Sequence, residues 1–361
     1  MNVVVFSAYV FSAYVVFSIL FFLKAAAIGI RRRRVLLAVV FLFMPGGAFT
    51  MAMENEFYFR KEIVFLLFLC GAAIPSSCRW AKREEKIVSF KHALFVGYVG
   101  IGTAVLSFVH EGFVFFCAVP LALIVYNHFA HFVPRACGAM ATTYLIAAVA
   151  VFVVSIIFKG DADVMQAIWQ NIGDINRAII SADGKPSGGI ETLGMSLWEG
   201  LALPVSIITS GMAWYWLVPV LSSATLCAYV AVGIWDDGQS SRRYLTARAL
   251  VLYGVIGAGT IPLFVFGWDW GRWIVAINLG FLFTFERLQH LPTALETLAI
   301  RLAHHLPSIP FHVPASAIGI GLLVFELTIR LPGCCITAGR GEPFDYTFWN
   351  IISLIRSGHG I

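Results

Sequence analysis

From Gly138 to Phe158 the chain runs without a charged side chain and meets its first charge at Lys159. In helical form such a run is about as long as the ~30 Å hydrocarbon core of a bilayer. Similar runs recur along the chain. With 59% hydrophobic and 12% charged residues and a mean hydropathy of +0.84 over 361 residues, too little polar surface exists to coat a water-soluble globule. The expected class is an all-α, polytopic helical membrane protein forming one integral membrane domain over residues 1–361. No basic tract interleaved with aromatic residues points to nucleic acid.

The net charge of +5 is informative through its placement, because basic connections stay on the cytoplasmic side. A first span, residues 3–23, precedes Arg31-Arg32-Arg33-Arg34, which anchors inside and leaves the N-terminus outside. Charges that follow the apolar run, with no positive stretch before it, argue against a cleaved signal peptide. Spans near Val35–Ala52, Ile63–Ser77, Ala93–Val109, Phe113–Tyr126 and Gly138–Phe158 then alternate direction. Arg79, Lys82, Arg83, Lys86 and Arg135 fall inside, with Asn127, His128 and His131 beside Arg135, and His110-Glu111-Gly112 falls outside.

The polar stretch 159–200 is the one sizeable outer loop. Asp161 and Asp163 precede Val164, Ile168, Ile172 and Ile175 at helical spacing, which predicts an amphipathic helix on the membrane surface. The apolar run Leu201–Ile234 is too long for one span and carries Pro204, Gly211 and Pro219, so it divides into a re-entrant segment and a seventh span from Trp214. Arg242, Arg243 and Arg248 return to the inside, and an eighth span covers Ala249–Phe266. The ninth, Ile274–Phe285, continues as a helix into the cytoplasmic connection 286–312. A tenth, Val313–Leu331, leaves an outer tail at 332–361. The expectation is thus roughly ten spans with both termini outside.

Within this scaffold the hexapeptide Trp268-Asp269-Trp270-Gly271-Arg272-Trp273 sets an acid and a base three residues apart at a bilayer boundary. Charge placed there is costly and marks a functional site by default. Two readings apply. In one, Asp269 and Arg272 pair across a helical turn while the tryptophans form an interfacial belt. In the other, Gly271 lets a substrate approach the backbone, Arg272 grips a phosphate or diphosphate bidentately, and Asp269 orients it or handles a proton. His110 and Glu111, in a tight hairpin at the same side, are either a solvated helix end or a general base or acid whose carboxyl is tuned by desolvation.

Other constellations read structurally. Glu326 and Arg330, four apart, suit an ion pair within the tenth span. Cys70, Cys78, Cys117, Cys137 and Cys227 sit singly in or beside apolar runs and act as small hydrophobes. Vicinal Cys334 and Cys335 lack an obvious outer-loop partner. His290, His304, His305 and His312 show no metal-ligand pattern. Asp161 and Asp163 resemble the acidic pair that metal-dependent membrane glycosyltransferases place on an outer loop, but an acidic helix start explains them as well, so no metal is expected. Without a phosphate-binding glycine loop of the soluble kind, no cofactor is expected either.

His-Glu-Gly closing one outer hairpin, a Lys-Gly-Asp outer loop with an amphipathic helix, and Asp-x-Gly-Arg-Trp heading a later span together resemble polytopic proteins of bacterial surface-polysaccharide loci. These are the O-antigen and exopolysaccharide polymerase-like proteins of the Wzy and EpsG type. The resemblance implies a multi-pass protein of the bacterial cytoplasmic membrane, a membrane glycosyltransferase-type polymerase. Its substrate would be polyprenyl-diphosphate-linked oligosaccharide, and its partners chain-length regulators or other polysaccharide assembly proteins. Glu111, His110 and Asp269 would be its catalytic groups, and Arg272 with Gly271 would hold the diphosphate. A transporter or flippase for a lipid-linked or small anionic substrate is the alternative class, since it too would have interrupted helices and rare intramembrane charges.

Overall fold

The computed structural model describes residues 62–73, 85–110, 112–130, 132–158, 160–172, 184–186, 191–209, 213–235, 240–266, 270–285 and 291–306. Of this part 89% is helix and none is strand, as the composition dictates. In chain order the helices are α1 (Glu62–Ala73), α2 (Glu85–Val109), α3 (Gly112–Ala130), α4 (Cys137–Ile157), α5 (Ala162–Asn171) and α6 (Glu191–Gly194). They continue as α7 (Leu197–Thr209), α8 (Ala213–Trp235), α9 (Arg242–Phe266), α10 (Trp270–Phe285) and α11 (Thr293–His305). Four stretches are long and apolar enough to cross a membrane: Phe90–Val109, Gly112–Ala130, Cys137–Ile157 and Arg242–Val265. Shorter apolar helices cover Val64–Ala73, Val220–Tyr229 and Trp273–Phe285.

Helix α3 is the hub. It packs against α1, α2, α4, α9 and α10, and it is apolar around nearly its whole circumference, the pattern of a helix buried on all sides. Phe113, Leu121 and Ile124 are fully enclosed, and Phe113 meets Phe65 of α1 edge-on at 5.1 Å. Helix α4 makes the contrast. Its span is 6% buried against 78% for that of α3, with Ile146, Ile157 and Phe158 exposed by 65%, 69% and 78%. Apolar side chains left so bare would be strongly disfavoured in water, which agrees with a helix long and apolar enough to cross a membrane.

Close approach in the hub depends on glycine. A Cβ on Gly280 of α10 would stand 2.9 Å from Pro120 Cγ of α3, and one on Gly259 of α9 would stand 2.6 Å from Val119 Cγ2. With lipid tails as apolar as leucine, helices in a membrane associate through such fits and through hydrogen bonds. Asn278 of α10 supplies the bonds, accepting from Tyr253 of α9 at 3.0 Å and donating to Ser223 of α8 at 3.2 Å. Thr103 and Tyr144 link α2 to α4 at 2.9 Å. Cys70, Cys117, Cys137 and Cys227 are buried, filling space as the sequence suggests.

Several boundaries differ from expectation for physical reasons. Helix α9 begins at Arg242 instead of Ala249, because Thr246 satisfies its hydroxyl on Arg242 O and Arg248 lays its guanidinium over the Trp235 ring at 4.9 Å. The run 201–234 divides as anticipated, into α7 and α8. The helix of the ninth span does not extend as one rod through the inner connection. Leu291 and Pro292 are non-helical, and α11 starts afresh at Thr293 and lies against α9. Proline lacks an N–H and disfavours helix in the residue before it, which accounts for the break. The first, second and tenth spans, Arg31–Arg34, Glu326, Arg330, Cys334 and Cys335 lie outside the described residues.

Candidate functional site

The α2–α3 hairpin closes through its own backbone. His110 N–H continues the α2 ladder to Leu106 O at 2.9 Å, and His110 O accepts Phe113 N–H at 2.9 Å, which starts α3. The His110 ring folds back, its Nδ1 accepting Gly112 N–H at 3.3 Å, with the ring centroid 6.1 Å from that of Phe65. Gly112 makes this possible, since a Cβ there would lie 3.3 Å from His110 Cε1. An Nδ1 that accepts a backbone N–H carries no proton, which leaves Nε2 as the donor of the half-buried imidazole. Glu111 lies outside the described residues.

The second element is the first turn of α10. Trp270 and Trp273 are 7% and 6% exposed and pack on Phe264, in the last turn of α9, at 5.7 and 5.0 Å in edge-on geometry. These two tryptophans therefore do not line a lipid-facing belt; they pin the start of α10 to the end of α9. Gly271 and Arg272 fall within that first turn. The first turn of a helix leaves backbone N–H groups without intrahelical acceptors and carries the positive pole of the helix dipole. Trp268 and Asp269 lie outside the described residues.

In the outer loop, Asp161 caps α5 as its sequence predicts, Oδ1 accepting from Asp163 N–H at 3.1 Å and Val164 N–H at 3.0 Å. Val164 and Ile168 are exposed, whereas Trp169 is buried and donates Nε1–H to Gly184 O at 3.2 Å. Gly184 has a positive φ of 72°, which suits a glycine at this turn. Among the described residues no group of three or more His, Cys, Asp or Glu is placed to hold a metal ion. His304 and His305 are exposed at the end of α11.

Two clusters were missed from the sequence. His92 of α2 and His128 of α3 meet at 2.7 Å between Nδ1 and Nε2, enclosed by Phe95, Phe129 and Phe132. Nothing local in the chain announces a pair formed by residues so far apart. The Asn278 cluster did leave a signal, a lone amide within the apolar run of the ninth span. Comparison with protein families, with curated proteins and with solved structures finds no match.

Proposed function

We propose that this chain joins polyprenyl-diphosphate-linked oligosaccharide units on the outer face of the bacterial cytoplasmic membrane, as a surface-polysaccharide polymerase of roughly ten spans with both termini outside. The observation that carries this reading is the position of Arg272 in the first turn of α10, where backbone N–H groups without intrahelical acceptors and the helix dipole favour an anionic ligand. The diphosphate leaving group of a lipid-linked sugar is such a ligand.

In the proposed reaction a sugar hydroxyl oxygen of one unit attacks the anomeric carbon of another. The bond from that carbon to the diphosphate oxygen breaks, and polyprenyl diphosphate departs with the bonding electrons. Arg272 stabilises the charge that grows on the diphosphate, and Gly271 leaves room for it against the backbone. The hydroxyl proton passes to a base. Because Nδ1 of His110 is already engaged by Gly112, the proposal gives that role to Glu111, with Asp269 orienting Arg272 and His110 shaping the hairpin through its ring. The donor is already activated by its diphosphate bond, so the chemistry calls for no nucleotide.

Arg272→Ala and Glu111→Ala, expressed in cells that lack their own copy, should abolish long-chain polysaccharide while the protein remains inserted at normal abundance. Normal chain length in both variants would refute the site. A transporter or flippase would instead leave lipid-linked units trapped on the inner face in the same variants, which lipid extraction from inverted vesicles distinguishes.

A further inference from the structure

A separate feature stands at the opposite, basic end of α9. Tyr244, in the first turn of α9, bonds to Glu296 of α11, and the membrane-crossing stretch of α9 starts at Arg242. Helix α11 is thereby held against the first turn of α9. Its buried stripe is centred on Ala299, with Leu295, Leu302 and Ala303 half-buried beside it. At 3.6 residues per turn Leu298 and Ile300 fall on opposite flanks of that stripe, and both stay exposed, by 50% and 48%. The apolar arc of α11 is thus wider than the surface α9 gives it.

Among the described residues around this arc, the exposed charged side chains are the arginines Arg242, Arg243 and Arg301. The one acid of α11, Glu296, is taken up by Tyr244 at the contact with α9. Arg248 is also withdrawn, being buried against Trp235. An apolar border rimmed by exposed arginines matches one partner in composition and charge, a leaflet that carries anionic headgroups.

We propose that the corner formed by α9 and α11 is a docking surface for anionic phospholipid. Leu298 and Ile300 enter the acyl boundary on either side of α11, while Arg243 and Arg301 hold the headgroup phosphates, their stems lying along the apolar rim. The inference is independent of the polymerase reading, because none of these residues belongs to the proposed reaction.

The test uses the full-length purified chain and native mass spectrometry, with phosphatidylglycerol and phosphatidylcholine offered in equal amounts. The expected result is severalfold greater retention of phosphatidylglycerol, weakened by added salt and reduced to parity in the double variant Arg243→Gln, Arg301→Gln. Should that variant fold poorly, Arg301→Gln alone should lower the preference and raise hydrogen exchange over residues 293–305 in phosphatidylglycerol nanodiscs. Equal retention of the two lipids by the wild-type chain would overturn the proposal, as would an unchanged preference in the variants. Displacement of the lipid by inorganic phosphate at matching concentration would overturn it as well, since the site would then take free phosphate.

Discussion

His92 Nδ1 and His128 Nε2 lie 2.7 Å apart, joining α2 to α3 through a single shared hydrogen. His92 Nε2 is buried with no hydrogen-bond partner among the described residues. A bare lone pair is easier to bury than an orphaned N–H, so His92 is the donor and His128 Nε2 the acceptor. Truncating either ring strands the other, and His92→Ala or His128→Ala should each cost about 1–3 kcal/mol. The double variant should cost clearly less than the sum of the two. Thermal unfolding in detergent measures all three, and strict additivity would show that the pair is not coupled.

The glycine contacts at the hub give a second test. Gly280→Ala pushes a methyl against the rigid Pro120 ring, and Gly259→Ala pushes one against β-branched Val119. Neither neighbour yields easily, so each variant should lose about 1–3 kcal/mol through overpacking. Gly254→Ala serves as the control, because nothing lies within 4 Å of a Cβ there. A melting temperature for Gly280→Ala equal to that of Gly254→Ala would contradict the packing described.

Asn278 gives a third. Its amide is paired at both ends, to Tyr253 and to Ser223, in a fully buried setting. Tyr253→Phe removes one donor and should cost about 1 kcal/mol, and Asn278→Ala should cost more because it strands two partners and opens a cavity. Unfolding midpoints of the two variants in the same detergent rank them, and the reverse order would contradict the network.

The start of α7 carries a pH-dependent element. Ser196 N–H donates to Glu199 Oε2 at 2.7 Å and Glu199 N–H donates to Ser196 Oγ at 3.3 Å, a reciprocal cap. The bond from the Ser196 backbone, followed by that from its side chain, holds the Glu199 carboxyl below its ordinary value of 4.5. A depressed folded value means that the stabilisation is fully present above the ordinary value and fades as pH falls through the folded one. Hydrogen exchange in the first turn of α7, corrected for intrinsic rate, should therefore accelerate on acidification in the wild-type chain and stay level in Glu199→Gln. Equal pH dependence in the two would remove the cap as its cause.

How much of this was legible in advance varied with the solvent each segment meets. Helix α4 could be read almost to the residue, because a lipid-facing helix needs only uninterrupted apolarity and Gly138–Phe158 supplies it. The start of α9 was misread, since Arg248 looks like loop until Trp235, on another helix, is known to cover it. The glycines of the hub and the His92–His128 pair depend on partners distant in the chain, which no local periodicity encodes. At the candidate site, α10 starts at Trp270, four residues before the Ile274 boundary read from the apolar runs, so Arg272 falls inside its first turn. The inward packing of Trp270 and Trp273 did not follow from their spacing, because a tryptophan at a span end serves a belt or a helix contact equally well.

The most direct test of the central claim is a single assay on the purified full-length chain in nanodiscs, supplied with polyprenyl-diphosphate-linked oligosaccharide. The quantity measured is free polyprenyl diphosphate released together with lengthened oligosaccharide. The account predicts that the wild-type chain releases one polyprenyl diphosphate for each glycosidic bond formed and that Arg272→Ala forms neither product. Absence of product with the wild-type chain, or equal yields from the two proteins, would contradict it.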